Sequence, residues 1–259
     1  MRSSLHLRLS ALAAIIALAA ACSDSTGPST LQPADLGEVL AELQPSSLAA
    51  LNAQISAAPI AGLTAPVPSS CSYDAASKSF VCPNVAITGI SVTRSFTLLD
   101  ASGNAQSQFD QATTAAVRLK TTFGGTVASG GSTVTIDQDQ EVTLSGLLTG
   151  EHKLDGASLG HVKGSVGNGT TTTPFISTIA TTTTGLVLPR ATTGAERFPV
   201  SGTIVVNTST TLGALPPFSQ SATITFNGSS KAAVIITANG HTTTCSVDLA
   251  AESAISCTA

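Results

Sequence analysis

From Cys71 to the C-terminus, apolar residues recur at every second position in one short segment after another. The clearest segments contain Ile90, Val92, Phe96 and Leu98; Val134 and Ile136; Val142, Leu144 and Leu148; Ile204 and Val206; Ala222, Ile224 and Phe226; Val234 and Ile236. This period is typical of β-strands that bury one face. Because no helical pattern separates these segments, a parallel sheet with crossover helices is excluded. We therefore predict an all-β fold, a long antiparallel meander that forms a curved sheet or incomplete barrel.

Turn-forming residues separate most of these segments. They are Ser102-Gly103-Asn104, Gly124-Gly125, Ser129-Gly130-Gly131, Thr149-Gly150, Gly167-Asn168-Gly169, Asn227-Gly228 and Asn239-Gly240. Such residues favour tight connections between antiparallel neighbours. They predict about ten to twelve strands, several of them ten or more residues long.

Threonine takes the place that charged residues occupy in most protein surfaces. The chain has 37 threonines among 259 residues, whereas only 10% of its residues are charged. A β-branched hydroxyl residue suits the solvated face of a strand, so this composition is typical of an extracytoplasmic β-protein. The net charge is −4 and no basic cluster is present, so we expect no nucleic-acid partner.

The N-terminal segment has the pattern of an export signal. Arg2 and Arg8 precede an apolar run from Leu9 to Leu18, which is too short to span a membrane permanently. The small residues Ala19-Ala20-Ala21 then precede Cys22. This pattern resembles the lipobox of bacterial lipoproteins, although Leu18 lies one position earlier than the leucine usual in that family.

The resemblance implies that the signal peptide covers residues 1–21 and that Cys22 is lipidated as the mature N-terminus. Acyl chains on Cys22 would bind the bilayer stably, since two or more chains anchor a protein where one does not. Ser23 follows the cysteine where an inner-membrane retention signal would place Asp. The resemblance therefore implies a protein of the bacterial cell envelope that is anchored to the outer membrane.

The segment before Cys71 divides into three parts. Residues 22–33 are polar and predict a flexible tether. Residues 34–57 predict two short helices separated by Pro45, whose apolar stripes would pack on the sheet; the stripes are Leu36, Val39, Leu40 and Leu43, and Leu48, Leu51 and Ile55. Residues 58–70 form a Pro-rich linker, and residues 71–259 are the β domain.

The four remaining cysteines fall into two close pairs. When Cys71 is placed opposite Cys82 in a hairpin, Tyr73 comes opposite Phe80. When Cys245 is placed opposite Cys257, Val247 comes opposite Ile255 in the same way. Both registers keep the cysteines and the apolar residues on one face, so we predict two disulfides. A four-thiolate zinc site is the alternative, but its usual ligand spacings are tighter.

Three further patterns resemble catalytic or metal sites. Gly156 to Gly160 matches G-x-S-x-G with Ser158 in the nucleophile position, a motif that needs a helix after it. A Gly- and Thr-rich segment follows instead, so a hydrolase is the least favoured function. We expect no catalytic residue and no cofactor.

His152 and His161 flank Asp155-Gly156 and would face each other if these two residues formed a hairpin turn. Asp137, Asp139 and Glu141 alternate in sequence, which predicts either a turn or, less favourably, a calcium site. We expect a turn at the acidic segment. We also expect the two histidines to be solvated and no metal to be bound.

The sequence favours a non-catalytic lipoprotein that binds a ligand or envelope protein, or that contributes to envelope structure. The alternative is a carrier of a lipid or another hydrophobic ligand within an incomplete barrel. A transmembrane barrel is disfavoured, because the chain has no Trp and one Tyr to form aromatic girdles.

Overall fold

The computed structural model describes residues 70–87, 89–129, 132–167, 172–188, 198–249 and 254–258. These residues form fourteen strands and no helix. The strands are β1 (Ser72–Asp74), β2 (Ser79–Val81), β3 (Val85–Ile87), β4 (Ile90–Asp100), β5 (Ala105–Gln106), β6 (Thr114–Ser129), β7 (Ser132–Ser145), β8 (His152–Gly167), β9 (Thr172–Leu188), β10 (Ser201–Leu212), β11 (Phe218–Phe226), β12 (Lys231–Ala238), β13 (His241–Asp248) and β14 (Ala254–Thr258).

All fourteen strands belong to one antiparallel meander. Its order is β1-β2-β4-β6-β7-β8-β9-β10-β11-β12-β13-β14. The short strands β3 and β5 pair with β4 on the edge that β2 also uses, since β6 occupies the other edge. The described sheet is unclosed, with β1 at one end and β14 at the other. The prediction of an all-β antiparallel meander is confirmed.

The helices predicted within residues 34–57 lie outside the described residues. So do the signal peptide at 1–21, the tether at 22–33 and nearly all of the linker at 58–70.

The alternation seen in the sequence defines one buried face of the sheet, which we call the apolar face. In β4, Val92 and Phe96 are buried, and they pair with Phe123 and Leu119 of β6 on the same face. The long strands β6 to β10 continue this alternation with twelve or more residues each. Because side chains of directly paired residues point to the same side, the pairing registers carry the face across the sheet.

Three clusters of buried side chains form the core on this face. The large cluster covers β9 to β13, and its buried members are Leu186, Ile204, Val206, Ala222, Ile224, Phe226, Ala232, Val234, Ile236, Cys245, Val247 and Leu249. The middle cluster contains Ile90, Val92, Phe123, Val134, Ile136, Phe175 and Leu212. The small cluster contains Phe80, Phe96, Leu98, Val117 and Leu119.

Two predicted turns are wrong, because they lie inside long strands. Gly124-Gly125 is within β6, where these residues pair with Asp137 and Ile136 of β7. Asp137, Asp139 and Glu141 lie in the middle of β7, so this acidic segment is also a strand. The alternation on the apolar face continues through both segments, and the cross-strand hydrogen bonds of the long hairpins override the local turn preference.

Other predicted turns are present. Asn239 and Gly240 connect β12 to β13 with φ values of 50° and 83°, the left-handed conformation that a type I′ hairpin turn requires. Asp100 accepts hydrogen bonds from the backbone N–H groups of Ser102 and Asn104 in the turn after β4. A side-chain hydrogen bond from Asn104, followed by these backbone bonds, lowers the pKa of Asp100.

Both predicted cysteine pairs form disulfides, and their hairpins have the predicted registers. Tyr73 pairs with Phe80, and the ring centroids lie 5.2 Å apart in an edge-to-face arrangement. Cys245 pairs directly with Cys257, and Val247 pairs with Ile255. The two disulfides therefore fix the first and the last hairpin of the described sheet.

Burial on the apolar face gives a direct test of this fold. Ile224 is 1% exposed on the apolar face, whereas Ile235 is 48% exposed on the other face. Ile224→Ala should lower the free energy of unfolding by about 2 to 5 kcal/mol, because it removes buried methylenes and leaves a cavity. Ile235→Ala is the matched control and should change it by about 0.5 kcal/mol or less. Urea unfolding followed by circular dichroism measures both, and equal losses would contradict the assigned faces.

Candidate functional site

A band of polar side chains crosses the apolar face between the core clusters. Two adjacent rows of paired residues form it. The first row is Arg94, Thr121, Gln140, Ser158 and Thr181, on β4, β6, β7, β8 and β9. The second row contains Gln138, Gly160, Ile179, Thr208 and Gln220, on β7 to β11. We call these ten residues the polar band.

The centre of the polar band is lined by small residues of β8. Gly156, Ser158 and Gly160 lie at successive positions of β8 on the apolar face. A Cβ atom at Gly156 would lie 2.6 Å from the carbonyl oxygen of Glu141, so only glycine fits this close approach of β7 and β8. We call the strip formed by these three small residues the trough.

The trough is partly exposed at Gly156 and Ser158, whereas Gly160 is buried beside the side chain of Gln138. Ile179 pairs with Gly160 and is 37% exposed, whereas Phe175 and Leu186, on the same face of β9, are buried. Ile179 therefore places an exposed apolar side chain beside glycine and serine, between two buried clusters.

One cation lies in the polar band. Arg94 is half-buried between Val92 and Phe96, whose side chains are buried on the same face. Within the described residues, no hydrogen bond or ion pair engages its guanidinium group. Arg94 is the only charged residue of the band, and the three core clusters contain none. An arginine in this position offers up to five donors and a full positive charge.

Two buried polar atoms of the band have no hydrogen-bond partner among the residues that the structure describes. They are the hydroxyl of Thr121, which is 0% exposed, and the amide nitrogen of Gln220, which is 6% exposed. Thr121 pairs directly with Arg94 across the β4–β6 ladder. An unpaired buried polar group costs about 1 to 3 kcal/mol, so a group that supplied an acceptor here would recover that energy.

Asp155 stabilises an irregular pairing of β8 with β9 beside the trough. The register between β8 and β9 shifts between Leu154 and Gly156, and Gly185 of β9 has a φ of 60° there. The N–H of Gly185 donates to the Asp155 carboxylate over 2.6 Å, and Lys153 lies 3.1 Å from the same carboxylate. Burial raises the pKa of Asp155, but the Gly185 hydrogen bond and Lys153 together outweigh it, so the pKa is lowered from 3.8.

The structure does not give Ser158 the surroundings of a nucleophile. Residues 156–160 lie inside β8, so no strand-to-helix turn presents the serine. Its cross-strand partners are Gln140 and Thr181, and neither can act as a general base. Ser158 is therefore a small polar residue of the trough, with surroundings suited to hydrogen bonding.

His152 and His161 do not face each other, so the alternative in which they share a metal is not supported. Both lie on β8, nine positions apart, because Asp155-Gly156 continues the strand and forms no turn. Nine positions of a strand span roughly 30 Å, and residues of odd separation lie on opposite faces. His161 Nδ1 lies 3.2 Å from the hydroxyl of Thr178.

The three carboxylates of β7 lie on the face opposite the polar band, and two of them contact side chains of β6. The Thr122 hydroxyl donates to Asp139 over 2.8 Å, and Arg118 lies 3.7 Å from Glu141. In the described part of the chain, no group of three or more His, Cys, Asp or Glu side chains could hold a metal ion.

The polar band was not predicted from the sequence, although part of its signal is present there. Arg94 interrupts an otherwise apolar alternation between Val92 and Phe96, and Gly156, Ser158 and Gly160 alternate in β8. Their proximity depends on the registers of three successive long hairpins, which the sequence does not specify. Cys22, the predicted lipidation site, lies outside the described residues.

Comparisons with protein-family models, curated proteins and solved structures found no match to this chain. No helix among the described residues is long and apolar enough to cross a membrane.

The lowered pKa of Asp155 predicts an acid-dependent loss of stability. A carboxylate with a folded pKa below its unfolded value stabilises the fold at neutral pH, and this contribution disappears as the pH falls through the folded pKa. Asp155→Asn should cost about 1 kcal/mol at pH 7, a modest value because the side chain is 41% exposed. The difference between wild type and variant should shrink below pH 4.

Urea unfolding at a series of pH values measures this difference. The control is Asp137→Asn on β7. This change replaces a carboxylate on the same face of the sheet as Asp155, and it should have an effect of about 0.5 kcal/mol or less at every pH. A cost for Asp155→Asn that stayed constant from pH 7 to pH 2 would rule out the assigned ionic contribution.

Proposed function

We propose that this chain is a lipid-anchored extracytoplasmic binding protein without catalytic activity. The observation that carries the proposal is the trough, where Ile179 is 37% exposed on the face that also buries the three core clusters. A surface of small and polar groups between apolar clusters suits the binding of a molecule that is mainly hydrophobic.

The cysteines support an extracytoplasmic location. Four of the five form two disulfides, which persist in oxidising compartments. The fifth is Cys22, whose surroundings resemble a lipobox. We propose that acyl chains on Cys22 hold the protein at the bacterial cell envelope, at the outer membrane, with the β domain as the part that binds.

A carrier of lipid or another hydrophobic ligand is the more specific form of this function. The unclosed sheet supports it, because an incomplete barrel leaves its apolar face accessible from the side. A purely structural role in the envelope would not require an exposed apolar side chain in the trough. Ile179 therefore favours ligand binding over scaffolding.

Anchoring through Cys22 has a direct chemical test. Cys22→Ala should abolish the incorporation of radiolabelled palmitate in growing cells, because no thiol remains to carry the glyceride. The double variant Cys245→Ala/Cys257→Ala is the control and should keep the full label in any protein that accumulates. Unchanged labelling of Cys22→Ala would contradict the anchor, whatever the function of the β domain.

Ligand binding in the trough is tested by a charge placed at its centre. The full-length protein, released from membranes in a neutral detergent, is titrated with methyl palmitate and examined by native mass spectrometry. Ile179→Glu should weaken binding about tenfold or more, because an acyl chain would have to displace water from a carboxylate. Ile235→Glu makes the same change on the other face and should bind as the wild type does. Equal binding by both variants would place the ligand elsewhere.

A further inference from the structure

The polar band has one feature that a surface for neutral lipids does not need, the unpaired cation Arg94. It lies on β4 at the end of the first row, four strand steps from Ile179 of β9. With neighbouring strands about 4.8 Å apart, the two residues are separated by at most roughly 19 Å. An extended long acyl chain bridges such a distance.

We propose that the polar band binds an anionic amphiphile, with its carboxylate or phosphate headgroup at Arg94 and its chain in the trough. This inference rests on the proposed binding function and adds the chemical class of the ligand. Three observations carry it: the unpaired charge of Arg94, the unpaired hydroxyl of Thr121, and the apolar clusters on both sides.

Arg94 lacks the partner that a half-buried guanidinium normally has. Burial between Val92 and Phe96 removes part of its hydration. The nearest residues in its row, Thr121 and Gln140, are neutral. An oxyanion would supply both the opposite charge and hydrogen-bond acceptors in planar geometry.

Thr121 supplies a second donor at the same place. Its hydroxyl is fully buried, has no partner and is directly opposite Arg94 in the pairing register. A headgroup oxygen bound at Arg94 would also accept from Thr121 once the side chains that cover this hydroxyl move aside. Because both donors lie on the apolar face, the rest of the ligand is directed along the sheet and away from bulk water.

The experiment compares two ligands that differ only in headgroup charge. Full-length protein in a neutral detergent is titrated with palmitate and with methyl palmitate, and bound adducts are measured by native mass spectrometry. Wild type should bind palmitate about tenfold more tightly than the ester. Arg94→Gln should remove this preference by weakening palmitate binding about tenfold, and it should weaken binding of the ester by clearly less.

Arg118→Gln is the matched control. Arg118 lies on the opposite face of β6, beside Glu141, and its substitution should leave the preference for palmitate intact. Thr121→Val removes the unpaired hydroxyl without changing side-chain size. It should weaken palmitate binding about threefold without lowering the melting temperature, which distinguishes a ligand contact from a structural one. If Arg94→Gln does not fold, Arg94→Lys is used, and it should retain the preference in part.

A further titration distinguishes the source of the anionic group. Inorganic phosphate should fail to displace palmitate, whereas a long-chain lysophosphatidate should compete with it, because the chain is needed for binding. Displacement by phosphate alone would overturn the proposal in favour of a simple anion site. Equal binding of palmitate and its ester by wild type would also overturn it, while the proposed binding function would stand. Binding of neither ligand would overturn both.

Discussion

The whole structure depends on pairing between strands that are close neighbours in the sequence. Most long strands form their hydrogen bonds with the long strands next to them in the sequence. This arrangement also sets the apolar face, because one wrong register would turn a strand's apolar residues to the solvent. The polar band is a product of these registers: Arg94, Thr121, Gln140, Ser158 and Thr181 are distant in sequence and form one row only because four successive hairpins are in phase.

The sequence was sufficient for the fold class and for both disulfide hairpins. In those hairpins the loop is short, so alternation fixed the register of Tyr73 with Phe80 and of Val247 with Ile255. It failed where local signals conflicted with long-range pairing. Gly124-Gly125 and the acidic segment of β7 have turn-like composition, but each lies at the middle of a strand of fourteen or more residues. The hydrogen bonds of a long ladder outweigh a few tenths of a kcal/mol of local preference per residue.

The same conflict explains why the sequence alone does not predict the candidate site. Gly156 and Gly160 match a catalytic pattern only by spacing. In the structure Gly156 allows the backbones of β7 and β8 to approach closely, and Gly160 lies beside the side chain of Gln138. Arg94 was not singled out, because a single cation in an apolar segment has meaning only when its neighbours on other strands are known. The glycines define the trough because they have no side chains. The polar residues around the trough include hydrogen-bonding groups that have no partner among the described residues.

The two disulfides lie at the two ends of the unclosed sheet. This position affects how the sheet unfolds. A ladder of strands without closure is expected to come apart from its outermost members, since each of these has a neighbour on one side only. Here Cys71–Cys82 and Cys245–Cys257 join the terminal pairs covalently, so neither end can fray one strand at a time. The two disulfides thus prevent the progressive loss of single strands from either end. A reducing compartment would leave the same chain open to progressive loss of strands and to edge-to-edge association with other copies.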